Sequence, residues 1–161
     1  MSRATFLEAL ALLSRSGIDE VRLLGGEPTL HADFPWFVEQ ALSHGFRLLV
    51  FSNGLLSEAA ARALEAAPPE RILVLVNALA PDEGTARERA KQAATLDRLG
   101  ERAMVGFNIH EPGFRPDFLI DLAVEHALFP SIRLGLAHPK RDGGNRFLHP
   151  RHYAEVGRRI A

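Results

Sequence analysis

Cysteine is absent from all 161 residues. The chain can therefore form no disulfide and no thiolate metal site. An excess of charge is missing too. The 19 basic residues are matched by 20 acidic ones, so no overall field points to nucleic acid or a membrane surface. The locally basic stretch after Arg133 (Lys140, Arg141, Arg146, Arg151, Arg158, Arg159) reads as a solvated loop and helix face. No apolar run approaches the roughly 20 residues of a membrane span, and no signal peptide is visible. The expected address is cytoplasmic, with neither nucleic acid nor membrane as a partner. With 47% hydrophobic and 24% charged residues the chain has the balance of one soluble domain, and its length suffices to bury a sizeable core.

Five short segments carry most of the apolar residues: "VRLLGG" (21–26), "FRLLVFSNG" (46–54), "RILVLVNA" (71–78), "AMVGFNIH" (103–110) and "SIRLGLAHP" (131–139). Nearly continuous runs of Val, Leu, Ile and Phe are the pattern of parallel strands covered on both faces. Helical segments separate them. Ser2 caps a helix reaching Gly17. Asp33 is expected to cap one that ends before Gly45, with Phe34, Trp36, Phe37, Val38 and Leu42 as its apolar stripe. Ser57 caps an alanine-rich helix that Pro68 and Pro69 terminate. Asp82 is expected to open a long helix closing at Gly100, and Pro116 suits the first turn of another, ending before Pro130. The strand ends recur at intervals of about 25 to 31 residues, the size of a βα unit.

Such alternation gives an α/β protein, either an open doubly wound sheet or a barrel. A doubly wound sheet would carry G-x-G-x-x-G opening directly into a helix. Here Gly25-Gly26 is followed by Glu-Pro and a short loop before Asp33. The expected fold is an incomplete (β/α) barrel of parallel strands with outer helices, about five βα units in all. Both ends read as cut, since the chain opens on a capped helix and its last segment, after Pro150, stops without a cap. Residues 1–161 are thus expected to be a single core-domain fragment, missing its first strand and truncated at its C-terminal side.

The stretch "VRLLGGEPTLH" (21–31) ends a strand by exposing bare backbone and setting a carboxylate beside it. One glycine suffices for a turn, and a second helps if a ligand must lie against the main chain. Glu27 can accept charge-assisted hydrogen bonds from an ammonium group. Pro28 fixes the exit of the chain and leaves no backbone donor unsatisfied. Ser52 offers a hydroxyl suited to a carboxylate or a ribose. Glu27, Ser52, Asn53, Asn77, Asn108, His110 and His138 all fall at strand ends, the side of a parallel barrel that builds the site. His31 is expected to close the loop before the helix, and "DGG" at 142–144 is a plain loop.

"GGEPTLHADF" followed by "GFRLLVFSNGLL" closely resembles the radical S-adenosylmethionine (radical SAM) superfamily, in the branch that includes peptide- and cofactor-modifying enzymes. The resemblance is strongest over residues 1–57 and persists as a βα rhythm to about residue 139. It implies a partial (β/α)6 barrel in which Gly25, Gly26, Glu27 and Pro28 end the family's second strand and line the methionine part of S-adenosylmethionine. Ser52, Asn53 and Gly54 would form the turn after its third strand, and Asn77 the polar ribose position. Asn108 and His138 match by position. The implied activity is reductive cleavage of S-adenosylmethionine to a 5′-deoxyadenosyl radical that abstracts a substrate hydrogen, the substrate being unknown, a peptide or a cofactor precursor among the candidates.

One feature of the family is missing. Its 4Fe-4S cluster is held by three cysteines, usually CxxxCxxC, after the first strand, and this chain has no thiolate to offer. The cluster is therefore expected only in a full-length protein, the present chain alone being inactive. No residue here is assigned as catalytic or as a metal ligand, and the uncovered edge of the strand at 21–26 is expected to favour self-association. Two other readings stand beside this one. A metal-dependent barrel hydrolase or lyase would use Glu27, His110 and His138 as ligands for zinc or manganese. A non-catalytic degenerate barrel would bind a nucleotide or another protein.

Overall fold

Each apolar segment is followed by a helix rather than a tight turn, so successive strands can pair only in parallel. The computed structural model describes residues 1–137 and 152–160. Strands β1 (Glu20–Leu23), β2 (Arg47–Ser52), β3 (Ile72–Asn77), β4 (Ala103–Ile109) and β5 (Ile132–Leu136) form one parallel sheet. Helices α1 (Arg3–Arg15), α2 (Phe34–Ser43), α3 (Glu58–Glu65), α4 (Ala86–Leu99) and α5 (Asp117–Glu125) alternate with them, and α6 (Tyr153–Ile160) comes last. The spatial order of the strands is the order of the sequence. A doubly wound sheet reverses direction at a switch point. Sequential right-handed crossovers instead set every connecting helix on one side, as in a barrel.

The two faces of the sheet are correspondingly unlike. Val50, Val74, Val76 and Val105 point under the helices and are 0% exposed. They meet Phe34, Phe37 and Val38 of α2, Ala60 and Leu64 of α3, and Leu96 and Leu99 of α4 in one apolar cluster. The alternate residues face the concave side, where Leu49, Phe51 and Leu73 are half-buried and Asn77 and Arg133 are exposed. Among the described residues β1 pairs only with β2. A groove of about 560 Å³, lined by Leu23, Leu24, Leu30, Phe34 and Phe37 among others, runs beside its other edge.

The local signals are partly reassigned. Ser2 and Ser57 cap α1 and α3 through their hydroxyls as expected. Asp33 stands at the N-cap of α2 but makes no capping bond. Its carboxylate turns to Arg3 of α1, 2.6 Å away, while His31 closes the loop by accepting the Asp33 N–H at 3.0 Å. The long helix opens at Thr85 rather than Asp82. Thr85 and Glu88 form a reciprocal capping box, which satisfies two of the orphan N–H groups where an Asp82 cap would satisfy one. Pro116 is the N-cap of α5 and not a residue of its first turn. Strand ends read as strand, such as Leu24–Gly26 and Asn53–Gly54, lie in loops. The loop at 142–144 and Pro150 fall outside the described residues.

Arg98 ties α4 to α3 by pairing with Glu58 at 2.8 Å and Glu65 at 2.7 Å. Hydrogen bonds from Arg98 first, and from Arg62 second, pull the Glu58 carboxyl down from the usual 4.5 to about 2. A depressed folded-state value means stabilisation that is complete above the unfolded value and lost as pH falls through the folded one. The stability gap between the wild type and Arg98→Ala should therefore be constant above pH 4.5 and close between pH 4.5 and about 2. The pair is open to solvent, so the gap is small. Urea melts across that range check it, and a gap unchanged at low pH counts against the bridge.

Candidate functional site

The carboxyl ends of β1 and β2 are joined by one side chain. Glu27 begins a short 3-10 turn, Pro28–Leu30, and its Oε1 accepts the N–H of Thr29 at 3.2 Å. The same oxygen accepts the hydroxyls of Thr29 at 2.6 Å and Ser52 at 3.0 Å. Oε2 accepts the N–H of Asn53 at 2.7 Å. Thr29 and Ser52 are 3% and 2% exposed, so their hydroxyls need internal partners. Ser52 thus spends its donor on Glu27 and accepts the Gly54 N–H at 3.1 Å. Ser52 therefore positions Glu27, and it also lines the cleft at these strand ends. Among the described residues Oε2 of Glu27 has a single protein donor, and it keeps capacity for another.

Backbone geometry explains the glycines separately. Gly25 has φ of +104°, a region L side chains rarely enter. At Gly26 an added Cβ would meet nothing within 4 Å. The protein's own packing does not require that residue to be bare. At Gly54, φ is +75° and a Cβ would lie 2.8 Å from Val76 Cγ1, so only glycine fits the turn after β2.

A second clamp lies one layer out. Gln92 of α4, 4% exposed, donates Nε2 to the carbonyls of Asn53 at 2.7 Å and Asn77 at 3.0 Å. Its Oε1 accepts the Leu79 N–H at 3.0 Å. The turns after β2 and β3 are thereby held in fixed relation. Neither Thr29 nor Gln92 was among the residues expected at the site. Gln92 does leave a trace in the sequence, since it precedes Thr95, Leu96 and Leu99 on the buried stripe of α4 and a polar residue there needs a reason.

Two clefts of about 340 Å³ each open along these strand ends. The first is lined by Gly25, Gly26, Glu27, Phe51, Ser52, Asn53 and Asn77. The second shares Asn77 and adds Glu83, Asn108 and His110. Gly25 to Glu27, Ser52, Asn53 and Asn77 are therefore brought to one rim, with Asn108 beside it, while Pro28 lines the groove beside β1. His110 Nδ1 lies 3.2 Å from the Asn108 carbonyl and its Nε2 is 3.7 Å from Glu83. His138 lies outside the described residues. Among the described residues no group of three or more His, Asp or Glu side chains is placed to hold a metal ion. None of their helices is long and apolar enough to cross a membrane.

No family model matches the chain. A probable GTP 3′,8-cyclase of Metallosphaera sedula is 31% identical over 102 residues, which is 62% of this chain and 30% of that protein. Streptococcus suis SuiB bound to S-adenosylmethionine superposes with a TM-score of 0.76 and 12% identity, over 99% of this chain and 40% of SuiB. SuiB bound to its precursor peptide SuiA gives 0.66 over 83% of this chain. Archaeal TYW1 gives 0.50 at 20% identity, over 77% of this chain and 48% of its own. These are radical SAM enzymes. The fold is the radical SAM fold. The resemblance carried by GGEP and the SNG turn is thus borne out. The chain spans less than half the length of each of these relatives.

Proposed function

We propose that these residues form the S-adenosylmethionine-binding wall of a radical SAM enzyme. The observation that carries this reading is the bare Gly26 backbone beside a Glu27 carboxylate that retains a free acceptor position on a 340 Å³ cleft. A methionyl group laid along Gly25–Gly26 can direct its ammonium to Glu27 Oε2. Asn53 and Asn77, exposed on the same cleft, suit the hydroxyls of a ribose. The likeness in fold to SuiB, a protein seen bound to S-adenosylmethionine, supports the choice of cofactor.

The iron–sulfur cluster of the family does not fit these residues. There is no cysteine in the sequence, and a cluster of this kind is held by thiolates. In this reading the cysteines come from polypeptide beyond the 161 residues, in the loop after a strand added beside β1 over the 560 Å³ groove. The chain as given is then a single core domain that binds S-adenosylmethionine weakly and cleaves none. Its open β1 edge would favour self-association. The substrate is a small molecule or a peptide, as SuiB with its precursor peptide illustrates.

Calorimetric titration with S-adenosylmethionine tests the first half, and iron analysis after anaerobic reconstitution the second. Saturable binding with far less than one iron per chain is expected. No binding even at millimolar cofactor removes the reading. About four irons per chain would overturn the argument from cysteine.

A further inference from the structure

Among the described residues, the concave face of the sheet carries one cation without a counter-ion. Arg22 and Arg47, the other strand arginines of β1 and β2, pair with Glu20 and Asp19. Arg133 of β5 does not. Its guanidinium sits over the Phe51 ring, 5.7 Å from the centroid, and among the described residues it meets no carboxylate or hydrogen-bond acceptor. β5 and β2 are three strand intervals apart, roughly 14 Å along a flat sheet at about 4.8 Å per interval. An arginine crosses such a gap only because the sheet curls, so the charge is presented inside the hollow.

The row of residues at this level is informative. Asn77 is level with Gly106, and Gly106 with Arg133. Ser52 is level with Val76, which sets Asn53 beside Asn77. The polar rim of the candidate site and Arg133 therefore share one layer of the concave face. Gly106 contributes no side chain to that layer, and Leu75 and Met104 below it are 2% and 9% exposed. Phe51 itself lines the cleft that holds Gly26 and Glu27. A guanidinium with no counter-ion among the described residues, above an apolar floor, has its donor set available in surroundings that strengthen its attraction for an anion.

We propose that Arg133, held over Phe51 in the hollow of the sheet, is the anchor for a carboxylate or phosphate group of the substrate. The proposal rests on the reading of the site given above. In that reading the cofactor's methionyl end lies at Gly25–Glu27, on the first strand. Arg133 enters from β5 with a positive charge that does not suit the ammonium assigned to Glu27, so it is given to the second ligand and selects an anionic one.

The test uses the chain itself, with inorganic phosphate and glutarate as probes and the neutral glutaramide as control. Side-chain NMR signals of Arg133 Nε and the Phe51 ring should shift saturably with the two anions and not with the diamide. Arg133→Met should weaken phosphate and glutarate roughly ten- to a hundredfold, the loss of a charge-assisted contact, and Arg133→Lys should recover part of it. Binding of S-adenosylmethionine should weaken less than that of the two anions, because its ammonium is assigned to Glu27 and a guanidinium cannot hold it. Far-UV circular dichroism checks that the exposed substitution leaves the fold intact. Equal anion affinity in the wild type and Arg133→Met overturns the proposal. So does a loss confined to S-adenosylmethionine and absent for its decarboxylated analogue, which would give the charge to the cofactor. If the wild type binds no S-adenosylmethionine, the cofactor reading fails separately, and the anion titrations still decide the role of Arg133.

Discussion

Glu27→Ala should destabilise the chain by about 2–4 kcal/mol, since it leaves the buried hydroxyls of Thr29 and Ser52 without an acceptor, at about 1–3 kcal/mol per unsatisfied group. Both hydroxyls are nearly inaccessible, so water does not replace the carboxylate. The same change should weaken S-adenosylmethionine roughly ten- to a hundredfold, the worth of a charge-assisted hydrogen bond. These effects have different origins, and Glu27→Gln separates them. The amide oxygen can still accept from Thr29 and Ser52, so most of the stability should return. The amide nitrogen then faces the Asn53 N–H that Oε2 accepts in the wild type, and no charge is left for an ammonium. Stability near wild type with affinity still about tenfold weak is the expected result. Thermal melts and calorimetric titration of the three proteins measure it. Wild-type affinity in Glu27→Ala would remove the role assigned to the GGEP turn. Wild-type affinity in Glu27→Gln would leave Glu27 as a clamp between loops with no direct hold on the cofactor.

The clamp that Glu27 makes marks how far the sequence could be read. Its position at a strand end and the bare backbone before it follow from local pattern, as does the recurrence of βα units that makes the strand order sequential. What local pattern does not contain is the partner. Ser52 looked like a ligand-facing hydroxyl because its neighbours were a strand end and an asparagine. It is buried against Glu27, 25 residues earlier in the chain. Asp33 had the residue type and spacing of an N-cap, yet Arg3, 30 residues away, takes its carboxylate. The start of α4 is a different case. The Thr85–Glu88 capping box is a local signal, and Asp82 competed with it only because the loop ahead of the helix is also acidic. Arg133 stands at the other extreme. Nothing within "SIRLGL" indicates a ring three strands away, because that contact exists only once the sheet has curled.

Gln92→Leu should cost more than any surface change. It should lower stability by about 3 kcal/mol or more, because three backbone groups lose their partner at about 1–3 kcal/mol each. The groups are the carbonyls of Asn53 and Asn77 and the N–H of Leu79. Leucine has nearly the same volume, so the loss is one of hydrogen bonds and not of packing. For a domain of this size the expected drop in melting temperature is about 6–12 °C. Gln92→Glu provides the sharper reading. Its oxygens can accept from Leu79, but an ionised carboxylate would face two carbonyl oxygens that need a donor. Burial and those carbonyls favour the protonated form, raising the folded-state pKa of the new carboxyl above its unfolded value. A raised value means stabilisation present below the unfolded pKa and lost as pH rises through the folded one. The Glu variant should thus approach the wild type in acid, where its hydroxyl donates to one carbonyl, and fall away from it toward neutrality. The wild type measured at each pH removes the contribution of Glu58. Because Gln92 fixes the turns that carry Asn53 and Asn77, cofactor affinity should follow the same pH course in the variant. A constant gap between the two proteins from acid to neutral pH would mean that Gln92 fills space at the rim without holding it.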